Sequence, residues 1–203
     1  MTQTTYADDV RDTPVEAVAW KGRFTPMAQA LHWVTALLML AIVVLAWYMK
    51  ALPRDLPTRQ GWYDLHEATG VTILALTAVR LAWRWANPPP PLPGHLGAIE
   101  QAGALISHIG LYFVLLAMPI SGYLLASAAG HGLNYFGMVT VPAPIAPNPG
   151  LAGIARSVHN IGQWAVYGLV ALHVAATLWH VVVRRDGVHE RMLPPQDGPG
   201  AAS

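Results

Sequence analysis

Histidines in apolar surroundings are the residues of this sequence most able to do chemistry. Five of its nine histidines fall inside or at the edges of long apolar segments: His32, His66, His108, His159 and His173. A titratable side chain inside a membrane is costly, so by default it marks a functional site. Neutral imidazole can bind haem iron, coordinate a metal ion, relay protons or simply hydrogen-bond to a neighbouring helix.

The spacing of two histidines on the last apolar segment favours one of these roles. His159 and His173 are 14 residues apart. At 100° per residue this is about 40° short of four full turns, with about 21 Å of rise along the helix. Both imidazoles are therefore predicted to project from one face, near opposite membrane surfaces.

Depth in the membrane predicts their partners, because two axial ligands of one iron must sit at similar heights on neighbouring helices. His66 opens the second segment on the side of His159, and His32 lies about two turns inside the first, near the depth of His173. This arrangement predicts two bis-histidine haem sites within a helix bundle. His108 has a depth similar to that of His32 and is the alternative ligand, or else it hydrogen-bonds to a quinone or a haem propionate.

Four apolar segments are long enough to position these histidines across about 30 Å of hydrocarbon, which takes roughly 20 helical residues. Their predicted bounds are Pro26 to Met49, Leu65 to Trp85, Ala104 to Ser127 and His159 to Val183. The predicted fold class is all-α, an integral membrane four-helix bundle formed by residues 26–194. Residues 1–25 are predicted to be an N-terminal cytoplasmic segment and residues 195–203 a C-terminal tail.

The composition supports a membrane protein and limits its chemistry. Hydrophobic residues make up 54% of the chain and charged residues only 11%, against roughly 25% charged in soluble domains. The net charge of +1 does not favour nucleic-acid binding. The chain contains no Cys, which excludes disulfides, iron–sulfur clusters and covalent haem attachment.

The positive charges predict how the bundle is oriented. Eight of the twelve Lys and Arg residues flank the predicted inner side: Arg11, Lys21, Arg23, Arg80, Arg84, Arg184, Arg185 and Arg191. The other four flank the outer side: Lys50, Arg54, Arg59 and Arg156. This imbalance favours cytoplasmic positions for both termini. Arg80 and Arg84, spaced i, i+4, are predicted to anchor the inner surface and can also pair with haem propionates.

Sequence motifs in all four segments resemble those of one known family. The quoted segments are RFTPMAQALHWVTALLML, DLHEATGVTILALTAVRLAWR, SHIGLYFVLLAMPISGYLL and ALHVAATLWHVVVRRDGVHERMLP. In this order they resemble the four spans of the bacterial cytochrome b561 family, and the similarity runs from about Arg23 to Pro194. The resemblance implies a di-haem b cytochrome of the inner membrane, with His32, His66, His159 and His173 as ligands and ubiquinone as redox partner.

The resemblance leaves the electron donor open. One activity in the family is the oxidation of periplasmic superoxide, for which the four outer cations would form a positive entrance. Related cytochromes are instead membrane subunits that relay electrons from a hydrogenase or another dehydrogenase. The loop GLNYFGMVTVPAP resembles the stand-alone members and favours an independent oxidoreductase. A non-redox transporter with proton-relaying histidines is the alternative of a different class.

The four remaining histidines lie outside the predicted haem sites. His180, near the end of the fourth segment, is predicted to be an inner-edge polar group close to a propionate or a quinone. His95, His131 and His189 fall in predicted loops, where solvent exposure is expected.

Overall fold

Four long helices dominate the computed structural model, which describes residues 22–195. Helix α1 spans Pro26–Ala51, α2 spans Arg59–Ala86, α3 spans Ala98–Ala128 and α4 spans Pro149–Trp179. Each helix is long and apolar enough to cross a membrane, α4 together with its continuation to Arg184. The predicted all-α membrane bundle is confirmed. Most of the predicted N-terminal segment, with Arg11 and Lys21, and most of the tail lie outside the described residues.

Residues with fixed capping preferences define where these helices begin. Thr25 caps α1 with its hydroxyl oxygen, and Pro26 follows in the first turn. Asn148 and Pro149 play the same roles at α4. Side-chain oxygens at the N-cap satisfy backbone N–H groups of the first turn, and proline there gives up no helical hydrogen bond. The Glu100 carboxylate accepts the backbone N–H that precedes α3.

A short β-hairpin lies between α3 and α4. Strand β1, Leu133–Tyr135, pairs antiparallel with β2, Val139–Val141. Two consecutive residues of the turn, Phe136 and Gly137, have positive φ values of 50° and 74°. The Asn134 side chain holds the turn by accepting the backbone N–H of Gly137 at 2.9 Å. This segment was expected to be a loop, and its two strands were not predicted from the sequence.

The hairpin is docked on α2 by two side-chain hydrogen bonds. The Asn134 amide donates to the Asp64 carboxylate at 3.1 Å, and the hydroxyls of Tyr135 and Thr72 are 3.1 Å apart. We call this end of the bundle, where α2 and α4 begin, the hairpin end. The opposite end, where a proline-rich connector joins α2 to α3, is the connector end.

Helices α3 and α4 approach closely because small residues face large ones across their interface. A Cβ at Gly110 would lie 3.0 Å from Leu169 Cδ2, and Gly162 makes equivalent room for the Met118 thioether. Small residues of this kind allow close helix packing in a membrane. Close backbone contacts also join α1 to α2 and α2 to α3.

Long polar side chains join α1 to α4 at the hairpin end. The Trp47 indole donates to the Tyr167 hydroxyl at 2.7 Å, and the Lys50 ammonium donates to the Gln163 amide oxygen at 2.8 Å. The bundle is thus closed on this side by side chains that reach across the space between the helices.

The connector end is held together by two arginines that donate to backbone carbonyls. Arg191 donates to the carbonyls of Gly22, Pro90 and Pro91 at 2.6, 3.2 and 2.8 Å. Arg23 donates to three carbonyls of the C-terminal segment at 2.9 to 3.2 Å. We call these contacts the carbonyl clasp. It joins the start of α1, the connector and the segment after α4, a role beyond the topological one expected of these arginines.

The helices extend beyond the predicted spans, mostly at the hairpin end. Helix α2 begins at Arg59 and α4 at Pro149, so the expectation that His66 opens its helix is wrong. His66 lies about two turns inside α2, and His159 lies about 15 Å from the start of α4. The turns added to α2, Arg59 to Asp64, carry polar and aromatic residues that suit the membrane interface. Those added to α4 begin at Pro149 and include Arg156.

Candidate functional site formed by two groups of histidines

At the hairpin end, two imidazoles from different helices face each other. The ring centroids of His66 on α2 and His159 on α4 are 6.2 Å apart, and the ring planes are inclined by 79°. Gly122 on α3 provides room for one of them, since a Cβ there would lie 3.1 Å from His159 Cε1. The predicted outer pair is therefore brought together by three helices.

Hydrogen bonds from α3 determine which nitrogen of His159 is free. Its Nδ1 lies 3.1 Å from the Met118 carbonyl oxygen and 3.0 Å from the Ser121 hydroxyl. A carbonyl can only accept, so Nδ1 carries the hydrogen and Nε2 keeps its lone pair. This is the form in which imidazole binds a metal, with the second nitrogen oriented by an outer hydrogen bond. The sequence reasoning did not identify Met118 or Ser121.

A cavity of about 450 Å³ surrounds this histidine pair. Its volume falls in the range of roughly 300–1,000 Å³ typical of small-molecule and cofactor sites. His66 Nδ1 is buried and has no hydrogen-bond partner, which is unusual for a polar atom in a folded protein. The wall is largely aliphatic, with polar groups near one end that include Lys50, Glu67, Arg156 and Gln163.

Two of the four predicted entrance cations, Lys50 and Arg156, line this cavity. Arg59 does not line it; its guanidinium donates to the Tyr63 hydroxyl at 2.8 Å and stacks over that ring. Arg54 is exposed and also lies away from the cavity wall.

At the connector end, three histidines cluster instead of two. The rings of His32 on α1 and His173 on α4 have centroids 6.3 Å apart, and those of His108 on α3 and His173 are 5.7 Å apart. The depths inferred from sequence are thus correct for all three residues. His173 is common to both possible pairs, as it was in the sequence.

Arg80 and Arg84 lie beside this cluster and share an aromatic neighbour. Their guanidinium carbons are 5.5 and 5.9 Å from the centre of the Tyr112 ring. One Arg80 nitrogen lies 3.4 Å from His32 Nδ1. Within residues 22–195, neither arginine forms an ion pair with a carboxylate. A half-buried guanidinium of this kind is a natural partner for an anionic group.

The other histidines differ in their surroundings. His180 Nδ1 lies 2.7 Å from Asp186 Oδ2, and His95 Nε2 lies 3.4 Å from the same oxygen. His95 and His131 are exposed as expected. His189 is not, because it sits on the short 3₁₀ helix His189–Met192 with its Nδ1 buried.

Asp186, which the sequence reasoning did not single out, titrates unusually. Burial raises its pKa, but hydrogen bonds from His180, the Val188 N–H and His95 outweigh burial, so the pKa lies below its ordinary value. The carboxylate therefore stays ionised between two imidazoles.

The two histidine pairs fit an iron that is already held by a porphyrin. An imidazole nitrogen binds a metal at about 2.0 Å, and the ring centre lies roughly 1.1 Å further out, so two imidazoles on opposite sides of one iron have centroids about 6.2 Å apart. The separations of 6.2 and 6.3 Å match this value. By contrast, the His, Cys, Asp and Glu side chains of the described part form no group of three or more suited to a bare metal ion.

Comparison with known proteins agrees with this chemistry. The family model for prokaryotic cytochrome b561 matches residues 23–195. The chain is 31% identical over 176 residues to Cytochrome b561 homolog 2 of Escherichia coli strain K12, covering 84% of this chain and 91% of that protein. It is 29% identical to Cytochrome b561 homolog 1 of the same strain, covering 85% and 97%.

A third relative carries a more specific name. The Probable superoxide oxidase CybB of Yersinia pestis is 26% identical over 178 residues, covering 87% of this chain and 98% of that protein. Because the family match includes all four helices and both histidine groups, the chain belongs to the prokaryotic cytochrome b561 family.

Proposed function

We propose that this chain carries electrons across the bacterial inner membrane, to or from ubiquinone, using two b-type haems. His66 and His159 would hold one haem at the hairpin end, and His32 and His173 the other at the connector end. Membership of the family supports the general part of this function, a multi-pass membrane protein of electron transfer with b-type haem. The observation that supports two haem sites is that an imidazole pair lies at each end of the bundle, with ring separations that suit two ligands of one iron.

The protein prepares each site through its own side chains. Bound b-type haem supplies reversible one-electron chemistry at its iron. Around it, the Met118 carbonyl fixes the His159 tautomer, and the aliphatic cavity wall lowers the local dielectric. At the connector end, Arg80 and Arg84 offer positive charge to the haem carboxylates. His108 is then a neighbour of the connector-end site and not a ligand.

Superoxide is the donor that the hairpin end supports best. Two cations, Lys50 and Arg156, and one acid, Glu67, line the cavity around His66 and His159, and a cleft with a net positive charge concentrates an anionic substrate. The name of the Yersinia pestis relative, Probable superoxide oxidase CybB, favours the same donor. The hairpin end would then face the periplasm, and the connector end, with both termini, the cytoplasm.

Haem stoichiometry tests the two sites. The purified protein should contain two extractable low-spin b haems per chain, because no Cys is present for covalent attachment. His159→Ala should leave only the connector-end haem and His173→Ala only the hairpin-end one, seen as loss of different components in reduced-minus-oxidised spectra and redox titration. His95→Ala is the control, because His95 is exposed and outside both histidine groups, and it should keep both haems. One haem or none in the wild-type protein would contradict the proposal.

Stopped-flow reduction of the oxidised protein tests the donor. The rate with superoxide should fall as salt rises, because attraction to surface cations is screened over about 8 Å at physiological ionic strength. Lys50→Glu and Arg156→Glu should slow superoxide and spare a neutral donor, while Arg59→Glu should have the smaller effect. A rate indifferent to salt and to these changes, together with co-purification of a dehydrogenase, would favour the relay-subunit alternative.

A further inference from the structure

At the connector end, two imidazoles lie on either side of one carboxylate. Asp186 Oδ2 lies 2.7 Å from His180 Nδ1 and 3.4 Å from His95 Nε2. Asp186 and His180 belong to the segment that follows α4, and His95 belongs to the connector before α3. Two segments distant in sequence therefore converge on a single oxygen atom.

The backbone after α4 is shaped so that this carboxylate turns back toward the bundle. Helix α4 changes into a π-helical turn, His180–Arg184, and such turns occur frequently at functional sites. Arg185 and Gly187, on either side of Asp186, have φ values of 50° and 73°. Asp186 Oδ1 accepts the Val188 N–H at 3.3 Å, which leaves Oδ2 for the histidines.

Exposure is high at the solvent end of this relay and low at its two inner members. The His95 side chain is 45% exposed, that of Asp186 is 9% exposed and that of His180 is 14% exposed. His180 follows His173 by seven residues, which is about 20° short of two turns with about 10 Å of rise. It thus lies on the same face of α4 as the connector-end histidine cluster, between that cluster and the water.

We propose that His95, Asp186 and His180 form a proton-transfer chain that delivers protons from the connector-end water to a quinone reduced near His173. The inference rests on the proposed function. Reduction of a quinone to quinol consumes two electrons and two protons. For each proton, His180 in its imidazolium form gives its Nε2 proton to a quinone oxygen, and the ring then turns over so that its bare nitrogen faces Asp186. The Asp186 carboxylate accepts a proton from the imidazolium of His95 and passes it to that nitrogen, and His95 regains its proton from water.

The charges around Asp186 suit this role. Arg184 Nε lies 3.7 Å from Asp186 Oδ2, and the same guanidinium pairs with Glu100 at 3.3 Å. His189, on the following 3₁₀ helix, is a further titratable group in this region. The hydrogen bonds that Asp186 accepts hold its pKa below the ordinary value, so the carboxylate is ionised between transfers and open to the next proton.

The rate at which quinone reoxidises the reduced protein tests the proton-transfer chain. The variants are Asp186→Asn, which keeps the shape but cannot relay a proton, and His95→Gln, which changes an exposed residue. Glu190→Gln is the matched control, because Glu190 is an acid of the same end that pairs with Arg23 outside the chain. Each protein is reduced with dithionite, checked for an unchanged haem spectrum, and mixed with a short-chain ubiquinone in a stopped-flow instrument.

We expect reduction to be unaffected in all three proteins and reoxidation to slow at least tenfold in Asp186→Asn and His95→Gln. Formate should restore the first variant and imidazole the second, since a small weak acid can carry the missing proton but cannot repair a merely structural defect. Glu190→Gln should match the wild type. Unchanged reoxidation in both variants, or slowing that neither additive relieves, would overturn the relay alone. If quinone cannot reoxidise the wild-type protein, the proposed function is wrong, and the relay then has no acceptor for its protons.

Discussion

Replacing Gly122 by alanine should weaken the hairpin-end haem site selectively. The new Cβ would lie 3.1 Å from His159 Cε1 and 3.4 Å from its Nδ1, whereas carbon atoms pack best at about 3.5–4.0 Å. The imidazole must therefore move by about 0.5 Å. It is held by contacts of 3.1 Å to the Met118 carbonyl and 3.0 Å to the Ser121 hydroxyl. A shift of that size away from α3 stretches both toward about 3.6 Å, where a hydrogen bond no longer exists.

The expected loss follows from the importance of that outer hydrogen bond. Removing the partner that orients a metal-binding histidine typically costs 10- to 100-fold in affinity, or about 1.4 to 2.7 kcal/mol. The connector-end site shares no contact with Gly122 and should keep its haem. We therefore expect one spectral component to be depleted and the other to remain.

Haem transfer to excess apomyoglobin provides the assay, with the loss of each component followed by its absorption. Gly168→Ala is the control, because a Cβ at Gly168 meets nothing within 4 Å and should leave both rates unchanged. Equal retention of the hairpin-end haem in Gly122→Ala and Gly168→Ala would refute the idea that α3 positions His159.

Three further predictions concern the connector end. Removing the carbonyl clasp with Arg191→Ala should lower the free energy of unfolding by about 1–3 kcal/mol, because charged hydrogen bonds to three carbonyls are lost; thermal melts in detergent, with Arg54→Ala as control, measure it. His108→Ala should retain both haems by spectroscopic titration, and its loss of the connector-end haem, with His32→Ala keeping it, would reverse the assignment of that pair. Finally, the lowered pKa of Asp186 should stabilise the fold fully above the ordinary value of 3.8 and lose this contribution as pH falls through the lower folded value; acid unfolding curves of the wild type and Asp186→Asn should converge at the acid end.

The parts of the fold that follow from simple periodicity could be predicted from the sequence. The four apolar segments correspond to the four long helices. The 14-residue spacing of His159 and His173 correctly predicts that one of these two residues lies in each histidine group. The predicted partners lie where depth alone suggested. Hydropathy detects the part of a helix that crosses the hydrocarbon and not the full length of the helix. The predicted spans therefore left out the two turns before Leu65 and the ten residues of α4 before His159.

Features that depend on precise approach in three dimensions could not be predicted. The sequence does not reveal that the Met118 carbonyl binds His159 Nδ1, because this requires the interface of α3 and α4 to be built first. A Gly next to a Ser in MPISG is a weak signal for such an approach. The contact between His95 and Asp186 joins segments about 90 residues apart, and no local pattern connects them. The choice between His32 and His108 also depends on ring separations, which only coordinates supply.

Both histidine pairs draw one member from α4, and this has a consequence for how the protein is made. Ribosomal synthesis delivers α1, α2 and α3 to the membrane first, carrying His32, His66 and His108. Neither facing pair exists until the last span, with His159 and His173, has been inserted against α3. Under the proposed function, haem capture at both sites follows insertion of α4, and a ribosome that stalls before α4 leaves an insertion product without either facing pair.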